Sequence, residues 1–407
     1  VIRDPVRGRI RESEPSEPSP QESRPLVKTT PVPPRGGPPL HVVQVIGGGS
    51  ARVCAHVRSL TAGLVARGVR VTVCAPPGTE PDYGFTGLGA HFVPLSCGTG
   101  PEAAAVLRAV CADAGVVHAH GLRAGVPAAL ALCGRRRTPL VVTWHARVQA
   151  VGVRARLMWL LERRVVRAAQ VVFGTTSDLV DRARRHGARD ARLAPVTVSV
   201  PCGGHEGRPG RPDGADDTAR EKTRAELGVT GRPLVLAVGR LVPRQGHTTL
   251  LTASRAWRRL DPQPLLAIAG EGPARPALQR RIEAEELPVR LLGRREDALE
   301  LLAAADVAVL PARWEGRAMV AQEALRAGVP LVASAVGGLP ELVGDAALLV
   351  PYGDAEALAD AVGGLLVDPA RRRGLAAAGR AQAATWPSED ETVTQVLSVY
   401  DELEQGG

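Results

Sequence analysis

Aromatic side chains are scarce, at 3% of 407 residues, and only two methionines accompany them. Any buried core must therefore be built from Ala, Val and Leu. The six cysteines show neither paired nor metal-ligand spacing, which argues against a disulfide framework and against a structural zinc. Cys54, Cys74 and Cys133 lie in apolar runs and read as reduced, buried thiols. No run approaches the roughly 18 apolar residues that span a bilayer, and no apolar export segment opens the sequence. A cytoplasmic protein, at most bound to the inner face of a membrane, is the expectation. Basic residues are not interleaved with aromatics and no recognition-helix spacing appears, so a nucleic-acid partner is not expected.

Acidic residues are also thinly spread where the fold begins. Residues 41–200 hold 20 basic against 8 acidic side chains, while residues 201–407 hold 24 basic against 29 acidic. The positive field of the first folded half could draw an anionic membrane or a phosphorylated substrate. A genome rich in arginine codons would give the same bias with no partner behind it. The helix expected at about residues 153–168 carries Leu157, Leu160, Leu161 and Val165 against Arg154, Arg156, Arg163, Arg164 and Arg167. That pattern suits a helix lying on a membrane, or simply one with a core face and a wet face.

What is present is an alternation of short aliphatic runs and helical periodicity, which implies parallel sheets covered on both faces. Residues 1–39 are rich in Pro, Glu, Ser and Arg and read as a disordered tail. Residues 40–200 form a first α/β domain. Residues 201–217 are a Gly/Pro/Asp-rich linker, residues 218–385 a second α/β domain, and residues 386–407 a terminal helix. The fold class is thus α/β, with two Rossmann-like domains facing each other across a cleft, a common setting for a ligand.

The chemistry-bearing residues fall just after strands. In the second domain, Gly239-Arg240 offers a guanidinium fork matched to phosphate oxygens. Gly270-Glu271-Gly272-Pro273 allows close backbone approach. Glu315 and Glu323, separated by seven residues, provide carboxylates suited to sugar hydroxyls. Each has a plainer reading as a surface ion pair, a turn or a first-turn helix charge. In the first domain, the glycine loop Gly47 to Ser50, His120 and His145 all follow strands.

In this order and spacing the residues resemble the retaining GT-B glycosyltransferases of family 4, also called glycosyl transferases group 1, over roughly residues 41–400. The most specific match runs from Glu315 to Glu323 and on through Gly328, Pro330 and Gly337-Gly338-Leu339-Pro340-Glu341. The resemblance implies transfer of a hexosyl unit from a nucleoside diphosphate sugar to an acceptor hydroxyl, with retention of configuration. It implies no metal ion and no cofactor apart from the sugar nucleotide itself. Arg240 would contact the donor diphosphate, Glu323 the ribose, and Glu315 with the backbone of Gly316, Arg317 and Ala318 the transferred sugar. Gly48 and Gly49 would face the diphosphate, with Gln245, Gly270 and Gly272 completing the donor pocket. His120 and His145 would face the acceptor side, with His145 joining Arg240 and Glu315 at the reaction centre. The last helix would cross back to the first domain, with Trp386 marking the return.

Two positions depart from the family pattern. Gln245 stands where a lysine is usual and brings no charge to a leaving diphosphate, and Arg317-Ala318 replaces an aromatic or glycine beside the sugar. Gln245 therefore keeps open a non-catalytic nucleotide-sugar-binding protein, and the shared two-domain fold keeps open an epimerase. A nicotinamide dehydrogenase is disfavoured, because Gly47-Gly48-Gly49 lacks the GxGxxG spacing and no acidic residue closes the next strand. The acceptor is not specified by the sequence; an anionic or lipid-linked one fits the basic first half.

Overall fold

The computed structural model describes residues 39–48, 51–96, 101–134, 138–147, 152–194, 213–316 and 318–406. The tail expected over residues 1–39 lies outside them but for Pro39, as do Gly49, Arg317 and most of the linker expected over residues 201–217. Helix Asp213–Glu226 begins inside that linker stretch rather than after it.

The first domain is a seven-stranded sheet: β1 (His41–Ile46), β2 (Arg70–Ala75), β3 (His91–Pro94), β4 (Val116–His120), β5 (Leu140–Trp144), β6 (Val171–Gly174) and β7 (Ala191–Leu193). Its order is β3-β2-β1-β4-β5-β6-β7, with every pair parallel. The second is six-stranded: β8 (Leu234–Val238), β9 (Leu265–Ala269), β10 (Val289–Gly293), β11 (Val307–Leu310), β12 (Leu331–Ser334) and β13 (Leu348–Val350). Its order is β10-β9-β8-β11-β12-β13, again wholly parallel. The expected pair of Rossmann-like domains is what the chain forms.

All six residues of β1 are buried, because helices cover both faces. Val43 and Val45 pack into one core layer, and Val42 and Ile46 into the other. This period of two, aliphatic on both sides, marks a strand with no wet face. With so few aromatics, each large ring has a defined place. Trp257 is buried in the second domain and donates from Nε1 to the Ala359 carbonyl at 3.0 Å. Cys54, Cys74 and Cys111 are buried thiols, but Cys133 is exposed. It lies beyond the end of helix Leu122–Ala131, where the apolar run has already left the core.

The terminal helix Glu389–Gln405 opens on a capping box: Ser388 accepts from the Glu391 N–H while Glu391 accepts from the Ser388 N–H. It packs along helix Ala51–Ala66 of the first domain and buries Tyr400 completely. Trp386 remains with the second domain, donating from Nε1 to the Leu342 carbonyl at 3.2 Å. The crossing therefore begins immediately after it. No described helix is long and apolar enough to cross a membrane.

Candidate active site

Strand order reverses between β1 and β4 in one sheet and between β8 and β11 in the other. Open parallel sheets bind ligands outside the carboxyl ends of strands at such switch points. The loops leaving β1, β8 and β11 carry Gly47-Gly48, Gly239-Arg240 and Glu315, while His120, expected just beyond its strand, is the last residue of β4 itself. Periodicity in sequence cannot pair them; the crossovers do.

In the second domain the loops after β8 and β9 are laced together. The Leu241 N–H donates to the Glu271 carbonyl at 2.9 Å, and the Ala274 N–H donates to the Leu241 carbonyl at 2.9 Å. A Cβ on Gly270 would fall 1.9 Å from the Gly239 carbonyl oxygen, and Gly270 has φ +147°, so no side chain fits there. A Cβ on Gly272 would fall 2.4 Å from the Leu241 carbonyl oxygen. This lattice leaves the Arg240 side chain exposed, with no ion-pair partner among the described residues. Its carbonyl is fixed by His247 Nε2 at 3.3 Å.

Glu315 is held from both domains. Gln245 donates from Nε2 to its Oε1 at 3.1 Å, and Arg52 of the first domain places Nη2 3.5 Å from its Oε2. Only 13% of the Glu315 side chain and 26% of Arg52 are exposed, so the pair is partly shielded from water and less screened than a surface bridge. The Gly338 N–H donates to the Glu315 carbonyl at 2.9 Å. Domain contacts continue from there. A Cβ on Gly338 would lie 2.2 Å from Thr176 Cγ2, and the Ser177 N–H donates to Glu341 Oε2 at 2.9 Å. Gly316 lies against the His145 carbonyl, 3.2 Å from where its Cβ would be. Ala318 is buried as the N-cap of helix Met319–Ala327. Glu323, half-buried on that helix, has its carboxyl pushed up by burial, opposed by Arg326 one turn on.

The first-domain edge is a buried histidine cluster. Gln44 donates from Nε2 to the Tyr400 hydroxyl at 3.0 Å, leaving its Oε1 to accept from His120 Nε2 at 2.7 Å. His120 Nδ1 then presents its lone pair to His145 Nε2 at 3.3 Å. His118 lies between the Tyr400 hydroxyl, 2.5 Å from Nδ1, and Thr143 Oγ1, 2.6 Å from Nε2. His145 Nδ1 is buried without a partner. Burial is the main cause that holds every ring in the cluster neutral: His56 falls to about 4 and His118 to about 3. His120 and His145 also fall well below the ordinary value, and for His145 the rings of His56 and His118 and the charge of Arg52 add to burial.

The structure thus brings Glu315, Gly316, Gln245 and His145 to one interdomain junction, with His120 directly behind His145. Arg240, Gly270 and Gly272 share the adjoining loops, and Gly48 lies at the exit of β1. Glu323 sits on the helix that leaves the Glu315 loop, one turn from Arg326. Sequence reasoning passed over Arg52, Gln44 and Tyr400. Arg52 could have been found as the cation in the first helical turn after a glycine loop. Gln44 is a polar residue inside a wholly buried strand, which demands a partner. Nothing local singles out Tyr400.

Two family models match in series. The Glycosyl transferase 4-like domain covers residues 48–199 and Glycosyl transferases group 1 covers residues 219–382. A D-inositol 3-phosphate glycosyltransferase of Xylanimonas cellulosilytica is 32% identical over 305 residues, covering 70% of this chain and 71% of that one. A GDP-mannose-dependent alpha-(1-6)-phosphatidylinositol monomannoside mannosyltransferase of Mycolicibacterium smegmatis is 35% identical over 217 residues, 47% of this chain and 54% of that relative. The match therefore spans about half that relative's length. Among solved structures, Anabaena HepE in complex with UDP superposes with a TM-score of 0.74 at 19% identity, covering 89% of this chain and 100% of that one. Topology, site order and these matches agree: the chain belongs to the glycosyl transferases group 1 family, the family 4 glycosyltransferases of GT-B fold.

Proposed function

We propose that the chain moves a glycosyl group from a nucleoside diphosphate sugar to an acceptor hydroxyl, with retention at the anomeric carbon and without a metal ion. The observation that carries this is Glu315, a shielded carboxylate gripped from both domains and adjoining a neutral histidine at facing switch points. Names among the relatives and neighbours, a GDP-mannose-dependent transferase and a UDP complex, favour a nucleoside diphosphate donor.

In this reading Glu315 exchanges Gln245 and Arg52 for hydroxyls of the transferred sugar, and Glu323 accepts from the ribose. Arg240 takes the diphosphate. Arg52, released from Glu315, supplies the second positive charge that Gln245 lacks. The C1–O bond to the diphosphate breaks as the acceptor oxygen bonds C1 on the same face, and the acceptor proton passes to the leaving phosphate oxygen. Positive groups fixed before reaction stabilise the charge that develops there. His145, neutral and with a bare Nδ1, can accept from a sugar hydroxyl without repelling an oxocarbenium-like carbon.

The test is incubation with uridine, guanosine and adenosine diphosphate sugars and an acceptor panel, reading nucleoside diphosphate release and the anomeric configuration of the product by NMR. Release equal in wild type and Arg240→Ala overturns the assigned site. Binding without turnover across the panel leaves a sugar-nucleotide-binding protein, and a changed sugar without any acceptor indicates an epimerase.

A further inference from the structure

Helix Val153–Ala168 turns its apolar stripe away from the core. Its buried residues are Glu162, Val165 and Val166, and Glu162 is tied down by Arg182 Nη2 at 2.6 Å. On the opposite side Val153 is 84% exposed, Leu157 52% and Leu160 55%. These residues stand at i, i+4 and i+7, so they form one row, which Arg164 continues a turn further on. Arg156, Arg163 and Arg167, at i, i+7 and i+11, form the adjacent row. Trp159, 43% exposed, lies beneath the Arg163 guanidinium, 5.2 Å from the ring centroid. A cavity of about 690 Å³ opens beside the helix, lined by Arg163, Arg164 and Arg167 together with Leu132 and Leu160.

A helix with a core face and a wet face would bury these leucines. Here the buried face is separate and sufficient, and the outward face combines aliphatic side chains, an interfacial tryptophan and arginines. Water is a poor partner for three adjacent large apolar side chains. A protein groove would satisfy them but would not need the flanking arginine row. An anionic bilayer satisfies both, since acyl chains receive the leucines while head-group phosphates receive the guanidinium groups. The cavity provides a recess where arginines can meet a phosphate.

We infer that the outward face of helix Val153–Ala168 docks on an anionic lipid bilayer. The placement has a consequence for the site. The helix follows β5, whose carboxyl end carries His145, and it runs back along the sheet, so its exposed amino-terminal half lies toward the cleft edge. An acceptor anchored in the bilayer would thereby be presented beside His145. The docking itself requires no donor chemistry and stands apart from the proposed transfer.

Flotation of the full chain with phosphatidylglycerol-containing vesicles against pure phosphatidylcholine vesicles tests it. Wild type is expected to float with the anionic vesicles only, and less as salt rises. Leu157→Glu/Leu160→Glu should lower the bound fraction about tenfold or more, and Arg164→Gln and Arg167→Gln about fivefold each. All of these variants should keep the wild-type thermal midpoint, because the altered side chains are outside the core. Absence of flotation, equal flotation with both vesicle types, or variants that float like wild type would overturn the docking. So would a concentration-dependent dimer, seen by light scattering, that Leu157→Glu/Leu160→Glu abolishes without any vesicle binding.

Discussion

The two sheets share one topology, yet their carboxyl edges differ in chemistry. The first carries a buried, hydrogen-bonded set of neutral imidazoles. The second carries backbone loops packed so closely that only glycine fits, with Arg240 left in water. A switch point fixes where a ligand sits, whereas the residues after the strands fix which part of it is held. The anionic part of a donor suits the second edge and the uncharged, reacting part suits the first. Arg52 is the exception, a cation of the first domain that reaches the carboxylate of the second.

The sharpest way to break this division is Arg240→Ala. If the second edge alone grips the diphosphate, kcat/KM should fall by about 10²–10³, with Arg240→Lys recovering part of the loss because charge returns without the fork. The drop should be the same across acceptors. An acceptor-dependent loss would assign Arg240 to the other half of the reaction.

Acid should separate the domains next. His56 and His118 sit at about 4 and 3 in the folded chain, below the ordinary value near 6.5. Between those limits the unfolded state binds more protons, so their contribution to stability is complete above about pH 6.5 and is lost as pH falls toward 4. Each such histidine should tilt unfolding free energy by about 1.4 kcal/mol per pH unit inside that window. The second domain has one comparable buried ring, His247, also lowered by burial. Hydrogen exchange at pH 7.5 and pH 5 should therefore show β1, β4 and β5 opening earlier than β8, β9 and β11. Simultaneous loss of protection would contradict the contrast.

Much of this was legible beforehand because it is local. Aliphatic runs such as Leu234–Val238 and the glycines after them declare strand and loop without reference to anything distant. Glu315 and Gln245 were visible as residue types at informative positions. Their hydrogen bond was not, because it joins loops after non-consecutive strands. The outward leucines of helix Val153–Ala168 were ambiguous for a related reason. Periodicity shows that a stripe exists, but not whether a sheet lies beneath it. Tyr400 is the extreme case, 356 residues from the glutamine it accepts from.

Arg52→Ala tests the one link between the two edges. If its guanidinium passes from Glu315 to the diphosphate, kcat should fall by about ten- to a hundredfold, a smaller effect than at Arg240 because a charge on a mobile side chain is only partly preorganised. Gln245→Lys in the same background should restore turnover by placing the charge on the second domain instead. If the double variant is as slow as Arg52→Ala while still binding donor, Arg52 serves Glu315 and not the leaving group.

The smallest effect belongs to Tyr400→Phe, which probes how the first edge is held. The ring would remain in its buried place against helix Ala51–Ala66, but Gln44 Nε2 and His118 Nδ1 would lose their shared hydroxyl. Leaving those groups unsatisfied should cost about 1–2 kcal/mol of unfolding free energy, read from the denaturant midpoint. Gln44 would also be free to turn its amide, placing a donor opposite His120 Nε2 and moving the His120 proton to Nδ1, which would then donate to His145 Nε2. Turnover should then fall only a few-fold while the ¹⁵N shifts of His120 and His145 report the exchanged tautomers. Unchanged shifts would mean that β1 and β4 fix the imidazoles without help from the returning helix.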